Sequence, residues 1–127
     1  MRILLDTNVL IARGTCHELL ELIVINHDVI TSEFILTELS DNLITKFKFS
    51  SETAERAITL LRSQLQIASA ADLPLPVSRD PDDDNVLAAA LSGRCECIIT
   101  GDKDLLVLDP FNNIRIVTPR MFLDMSV

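Results

Sequence analysis

The sequence predicts a single three-layer α/β domain, with helices packed on both faces of a mostly parallel central sheet. Short apolar runs that do not alternate with polar residues, such as Ile3-Leu4-Leu5, are typical of strands buried on both faces. Longer segments with apolar residues at helical spacing lie between most of these runs. This order is expected of parallel strands joined by right-handed crossovers. The length fits one domain, which we place over residues 1–127.

Strands and helices alternate through most of the chain. Strands are predicted over residues 2–5, 29–31, 97–100 and 114–117. Helices are predicted over residues 9–12, 17–25, 33–43, 51–68 and 86–91, with a short last helix after residue 118. N-caps are predicted at three of these helix starts: Ser32, either Ser50 or Ser51, and Thr118, which is followed by Pro119. Residues 73–77 are predicted to be an extended connection, and residues 109–113 a turn.

Composition and charge limit the classes of function. Hydrophobic residues make up 48% of the chain, enough for a packed core, and no apolar run is long enough to span a membrane. We find no signal peptide, and three cysteines, an odd number, fit a reducing compartment, so we expect a cytoplasmic protein. A net charge of −8 argues against a nucleic-acid partner unless bound cations reverse the local charge.

Carboxylates lie where the predicted strands end and where one helix starts. Asp6 and Asp102 follow two strands, and Asp83 and Asp84 open the helix that leads into the second of these strands. In an open parallel sheet these positions share one edge, and Glu38 could reach the same edge. Carboxylates without His or Cys suit Mg²⁺ or Mn²⁺. Such ions activate water and stabilise the developing charge of a phosphodiester.

Each acidic residue also has a structural explanation. Acids at a helix start are stabilised by the macrodipole by about 0.3–1 kcal/mol each. A lone acid after a strand is commonly a turn residue or cap, and Glu38 alone is better explained as part of a solvated helix face. Residues 80–91 fail the EF-hand test, because Asn85 replaces the glycine and Leu91 the final glutamate.

A cysteine pair and a basic stretch each allow a functional and a structural interpretation. Cys95 and Cys97 are expected to place two thiols on one strand face, but two thiols do not complete a zinc site, so buried strand cysteines are favoured. The stretch Lys46-Phe47-Lys48-Phe49 could be a small basic patch for RNA, although a solvated helix end is favoured.

Four motifs together resemble the PIN domain family. They are Ile3-Leu4-Leu5-Asp6-Thr7-Asn8-Val9-Leu10, Arg79-Asp80-Pro81-Asp82-Asp83-Asp84 with its Ala-rich helix, Ile98-Ile99-Thr100-Gly101-Asp102-Lys103-Asp104-Leu105-Leu106, and Val117-Thr118-Pro119-Arg120-Met121-Phe122-Leu123. The match covers nearly the whole chain. Among PIN domains, the chain resembles the VapC-like toxins of bacterial toxin–antitoxin pairs.

The resemblance implies an RNA-cleaving nuclease that depends on Mg²⁺ or Mn²⁺. It implies a metal-binding catalytic set of carboxylates: Asp6, Glu38, Asp83 or Asp84, and Asp102. The interval of 102 − 84 = 18 positions favours Asp84 as the main ligand of the pair. Asn8 and Thr100 would support the ligands, and Asp104 would be a further ligand or a cap.

The resemblance also implies a homodimer and a cognate antitoxin. Two other classes stay open: a PIN-like binding or assembly module without catalysis, and a phosphoacceptor signalling domain. The second would need an acidic pair after the first strand, which Asp6-Thr7-Asn8 lacks.

Overall fold

The computed structural model describes residues 1–7, 9, 21, 23–69 and 80–125. Their centre is a five-stranded, all-parallel sheet in the order β3-β2-β1-β4-β5. The strands are β1 (Arg2–Leu5), β2 (Asp28–Ser32), β3 (Gln66–Ala68), β4 (Cys97–Ile99) and β5 (Arg115–Val117). The helices with defined bounds are α1 (Glu33–Thr45), α2 (Ser51–Gln64), α3 (Pro81–Ser92), α4 (Lys103–Leu106) and α5 (Pro119–Met125). The α/β class with a parallel sheet is therefore confirmed.

The central strand β1 is buried on both faces, as its unbroken apolar run indicates. Leu4 packs with Ile30 and Ile98 in one core, and α3 contributes Leu87 to the same core. Ile3 and Leu5 point the other way, into a second core that includes Phe122 of α5, as successive residues of a strand do. The sheet thus has a core on each face.

Side-chain caps fix the starts of the helices. The Ser32 hydroxyl oxygen accepts a hydrogen bond from the Ile35 N–H at 3.2 Å at the start of α1. Ser50, rather than Ser51, caps α2 by accepting from the Thr53 N–H at 3.1 Å. Such caps satisfy backbone N–H groups that lack a partner inside the helix.

The strand β3 corrects the sequence prediction, which extended a helical stripe to Ala68. The helix α2 ends at Gln64, and Leu65 has an extended backbone, with φ −113° and ψ 153°. Residues 66–68 then pair with β2 at the edge of the sheet. The strand was missed because Gln66 and Ile67 are exposed, so no buried apolar run marks it.

The cysteines Cys95 and Cys97 are both buried, as expected, but they do not share a strand face. Cys95 precedes β4 and packs in the core beside Leu4, whereas Cys97 packs in the core beside Ile3. Burial raises the pKa of the Cys95 thiol to about 12 and that of Cys97 to about 11. These thiols are therefore protonated at neutral pH and are poor metal ligands.

The remaining predictions are met in part. Residues 109–113 form a turn, with positive φ at Asn112 and Asn113 and a bridge between Phe111 and Ile114. At the last helix, the Thr118 hydroxyl oxygen accepts from the Met121 N–H at 3.1 Å. The connection at 73–77, and the first predicted helices except residues 9, 21 and 23–25, lie outside the described residues. Within the described part of the chain, no helix is long and apolar enough to cross a membrane.

Candidate metal centre

The carboxyl ends of β1 and β4 lie side by side and bring two predicted site residues, Asp6 and Thr100, together. Leu5 pairs with Ile99, and the Asp6 N–H donates to the Ile99 carbonyl at 3.1 Å. Asp6 and Thr100 are therefore neighbours, although 100 − 6 = 94 positions separate them. Parallel pairing of two adjacent strands produces this meeting, because both strands end at the same edge.

Asp6 is almost completely buried, with 5% of its surface exposed. One oxygen, Oδ2, accepts from the Thr100 hydroxyl at 2.7 Å, and Oδ1 accepts from the Thr7 N–H at 2.8 Å. Burial raises the pKa of the Asp6 carboxyl above its ordinary value of 3.8, and the negative charge of Asp102 adds to this effect. The two hydrogen bonds act in the opposite direction, because they stabilise the carboxylate.

Thr100 links Asp6 to Asp102. Its hydroxyl donates to Asp6 and accepts from the Asp102 N–H at 3.0 Å. Asp102 in turn caps α4, where its Oδ1 accepts from the Asp104 N–H at 2.9 Å. The fully buried threonine thus holds the two acidic residues in a fixed relation.

Three carboxylates converge beside this link. Asp83, Asp102 and Asp104 each offer one oxygen, and these three oxygens all lie within 4.8 Å of one another. Asp83 is 5% exposed, although it stands in the first turn of α3. Among the described residues, this is the group of His, Cys, Asp and Glu side chains that could hold a metal ion.

The donor set fits a small divalent cation. All three ligands are carboxylate oxygens, which Mg²⁺ and Mn²⁺ prefer. Two oxygens on opposite sides of Mg²⁺ stand about 4.2 Å apart, twice the bond length of about 2.1 Å. Since no pair in the group exceeds 4.8 Å, small side-chain shifts would bring all three oxygens onto one ion.

Two other predicted site residues, Asp84 and Glu38, are not members of this group. Asp84 is half-buried and is not a member of it. Glu38, on α1, lines a cleft of about 510 Å³ that also includes Asp82, the neighbour of Asp83. Asn8 lies outside the described residues.

The cleft that Glu38 lines was not predicted from the sequence. Its wall includes Phe34, Glu38 and Asn42 of α1 and Lys46, which directly follows the helix, so that four lining residues are spaced by four positions. This spacing places side chains on one ridge of a helix. The signal was therefore present in the sequence, but Phe34 was not considered with the polar residues.

Fold and site together define a class: an open parallel α/β domain with a carboxylate group at the carboxyl edge of its sheet. The sequence model of the PIN domain matches residues 2–104, and the chain belongs to the PIN domain family. No curated protein sequence matches the chain significantly.

Solved structures agree with this fold. VapBC-1 from nontypeable Haemophilus influenzae is similar with a TM-score of 0.66 and 18% identity, over 94% of this chain and 99% of that chain. VapBC2 from Rickettsia felis, bound to a DNA fragment from its promoter, is similar with a TM-score of 0.64 and 16% identity, over 91% and 97%. The Mycobacterium tuberculosis toxin VapC20, which cleaves the sarcin-ricin loop, is similar with a TM-score of 0.58 and 16% identity, over 89% and 98%.

Proposed function

We propose that the protein is an endoribonuclease that hydrolyses RNA phosphodiester bonds with Mg²⁺ or Mn²⁺. The observation that carries the proposal is the convergence of the Asp83, Asp102 and Asp104 carboxylates beside buried Asp6. Membership of the PIN domain family supports nuclease activity. VapC20, which has a similar fold, is a toxin that cleaves the sarcin-ricin loop.

In this proposal, the ligand set comprises Asp83, Asp102 and Asp104, with Asp6 as a further acid of the same edge. These residues would hold a divalent ion, which would supply an acidified water and stabilise charge on the phosphate. Thr100 keeps Asp6 and Asp102 in position through its two hydrogen bonds. Glu38, which lines the cleft together with Asp82, is proposed as a further metal-binding carboxylate. Asn8 would support the ligands, as the family resemblance implies.

Asp83 is proposed as the main ligand at the start of α3, and Asp84 as a secondary one. Asp83 is buried and lies in the carboxylate group, whereas Asp84 is half-buried outside it. The interval of 102 − 84 = 18 positions between Asp84 and Asp102 favours Asp84 instead. Variants of Asp83 and Asp84 should therefore be compared directly.

The test is cleavage of single-stranded RNA by purified protein. Wild type should cleave with Mg²⁺ or Mn²⁺ and lose activity in excess EDTA. Asp6→Asn, Asp83→Asn and Asp102→Asn should each lower kcat/KM on the order of 10²-fold or more, because each removes negative charge that holds the ion. Asp84→Asn is the matched control, and we expect it to retain more activity than Asp83→Asn.

Undiminished cleavage in EDTA, in a preparation free of contaminating nuclease, would overturn the metal mechanism. Absence of cleavage with either ion on varied RNA substrates would favour a PIN-like binding or assembly module. Circular dichroism of each variant separates loss of chemistry from loss of folding.

We also propose that the protein acts as the toxin of a toxin–antitoxin pair. Two of the similar structures are VapBC assemblies, which supports a cognate antitoxin as partner. In this proposal, the antitoxin blocks the acidic edge of the sheet. A homodimer and a cytoplasmic location stay predictions. Co-expression with the product of a neighbouring antitoxin-like gene should yield a stable complex that does not cleave RNA.

A further inference from the structure

The cleft that Glu38 lines contains a lysine side chain as well as acidic side chains. Its lining includes Glu38, Asp41 and Asp82, together with Lys46. Asp82 directly precedes Asp83, so the cleft adjoins the proposed metal centre along α3. Lys46 therefore lines the same cleft as Asp82, the residue next to Asp83 of the carboxylate group.

Lys46 makes no ion pair within 4.0 Å among the described residues, although three carboxylates line the same cleft. Its backbone N–H donates to the Asn42 carbonyl at 2.9 Å, which closes the end of α1. The ammonium group offers three hydrogen-bond donors. These donors are available to a ligand that enters the cleft.

We propose that Lys46 binds a backbone phosphate of the RNA strand and so positions the strand at the carboxylates. This inference rests on the proposed nuclease function and adds a positioning residue to it. RNA must approach a chain of net charge −8, so the substrate needs a cation near the acidic edge. Lys46 provides one in the wall of the adjoining cleft.

A purely structural role for Lys46 makes a different prediction. A cation at the end of a helix is stabilised by the macrodipole, which accounts for a lysine at this position without a ligand. In that case, replacing Lys46 would lower the melting temperature and leave RNA binding unchanged. Lys48, two positions later, is exposed like Lys46 but does not line the cleft, so it is a matched control of the same charge.

The experiment measures binding of a short labelled single-stranded RNA with Mg²⁺, in an Asp102→Asn background that prevents cleavage. Lys46→Gln should weaken binding about tenfold, since it removes a charged hydrogen bond. The slope of log affinity against log salt should shrink by about 0.7, the value for one phosphate contact on a single strand. Lys46→Arg should restore most of the affinity, and Lys48→Gln should change it much less.

Steady-state cleavage by the otherwise wild-type enzyme gives a second measurement. Lys46→Gln should raise KM with little change in kcat, because the contact stabilises the bound substrate and the transition state equally. If Lys46→Gln and Lys48→Gln weaken RNA binding equally, or if Lys46→Gln leaves it unchanged, this inference is overturned. Cleavage of RNA by the wild type would still support the proposed nuclease function in that case. Wild type that neither binds nor cleaves RNA would overturn both.

Discussion

Asp6 shows how one residue connects the fold to the proposed chemistry. Its position after β1 follows from the short apolar strand, and its burial follows from the pairing of β1 with β4. A carboxylate taken from water into the protein loses favourable solvation, which burial by itself does not replace. The hydrogen bonds from Thr100 and Thr7 replace part of that solvation.

The raised pKa of Asp6 predicts how stability depends on pH without metal. Because folding raises this pKa above 3.8, the folded protein binds the proton more tightly than the unfolded chain does. The stability that results is present at low pH and is lost as pH rises through the folded-state pKa. In EDTA, Asp6→Asn should therefore melt above wild type at neutral pH, and this difference should shrink as the solution is acidified.

Thermal melts over a pH series measure this difference. Asp124→Asn is a suitable control, because the Asp124 side chain is 70% exposed on α5. Its melting temperature relative to wild type should not follow the Asp6 pattern. A difference for Asp6→Asn that stays constant with pH would contradict the assigned pKa shift.

The choice between Asp83 and Asp84 marks the limit of sequence reasoning at the residue scale. Either acid has apolar residues three and four positions later, Val86 and Leu87 for Asp83, and Leu87 and Ala88 for Asp84. Helical periodicity therefore predicts that either residue could lie on the buried face of α3. Only the packing of α3 against the sheet distinguishes them, and it buries Asp83 more deeply.

At the scale of the element, the start of α3 contains one acidic residue that caps the helix and another that is a proposed metal ligand. Asp80 caps the helix, its carboxylate accepting from the Asp82 N–H at 2.9 Å, and Pro81 occupies the first position. The acidic turn thus contains both kinds of residue that the sequence analysis weighed against each other. The structure assigns capping geometry to Asp80 and a place in the carboxylate group to Asp83.

Substitution of the cap should affect folding and not metal binding. Asp80→Ala should lower the free energy of unfolding by about 1 kcal/mol, the usual cost of a lost N-cap. Asp80→Asn should be nearly neutral, because an asparagine oxygen caps equally well. Chemical denaturation with and without Mn²⁺ should give the same loss for Asp80→Ala in both conditions. A loss that appears only with Mn²⁺ would place Asp80 among the ligands.

The elements themselves were predictable to different degrees. The strands at residues 2–5, 29–31 and 97–100 were predicted because burial on both faces leaves an apolar run. The edge strand β3 leaves no such run, and Leu65 and Ala68 happen to continue the helical spacing of α2. Prediction failed there because pairing with β2 was decided by tertiary contacts.

At the scale of the whole molecule, the parallel sheet concentrates like charges at one edge. Two unit charges about 4 Å apart repel by about 4 kcal/mol at an effective dielectric constant near 20, before screening. Asp83, Asp102 and Asp104 each place one oxygen within 4.8 Å of the others, so we expect the metal-free site to lower the stability of the fold. Such a cost in a folded domain is expected at a functional site rather than at a structural one.

Neutralising one member of the group should therefore stabilise the metal-free protein. Asp102→Asn should raise the melting temperature in EDTA, because it removes one of the repelling charges. The cap of α4 should survive, since asparagine can accept the hydrogen bond from the Asp104 N–H that Asp102 accepts at 2.9 Å. Asp83→Asn should act in the same direction, and both variants should lose RNA cleavage.

The response to Mn²⁺ then distinguishes ligands from neighbouring acids. Metal that binds only the folded state stabilises it by about 2.7 kcal/mol at a concentration one hundred times Kd. Wild type should thus melt at a higher temperature with Mn²⁺, whereas Asp83→Asn and Asp102→Asn should respond much less. Asp84→Asn, which alters the adjacent carboxylate outside the group, should keep most of the response. If Asp84→Asn loses the Mn²⁺ response and Asp83→Asn keeps it, Asp84 is the main ligand and the assignment at the start of α3 is reversed.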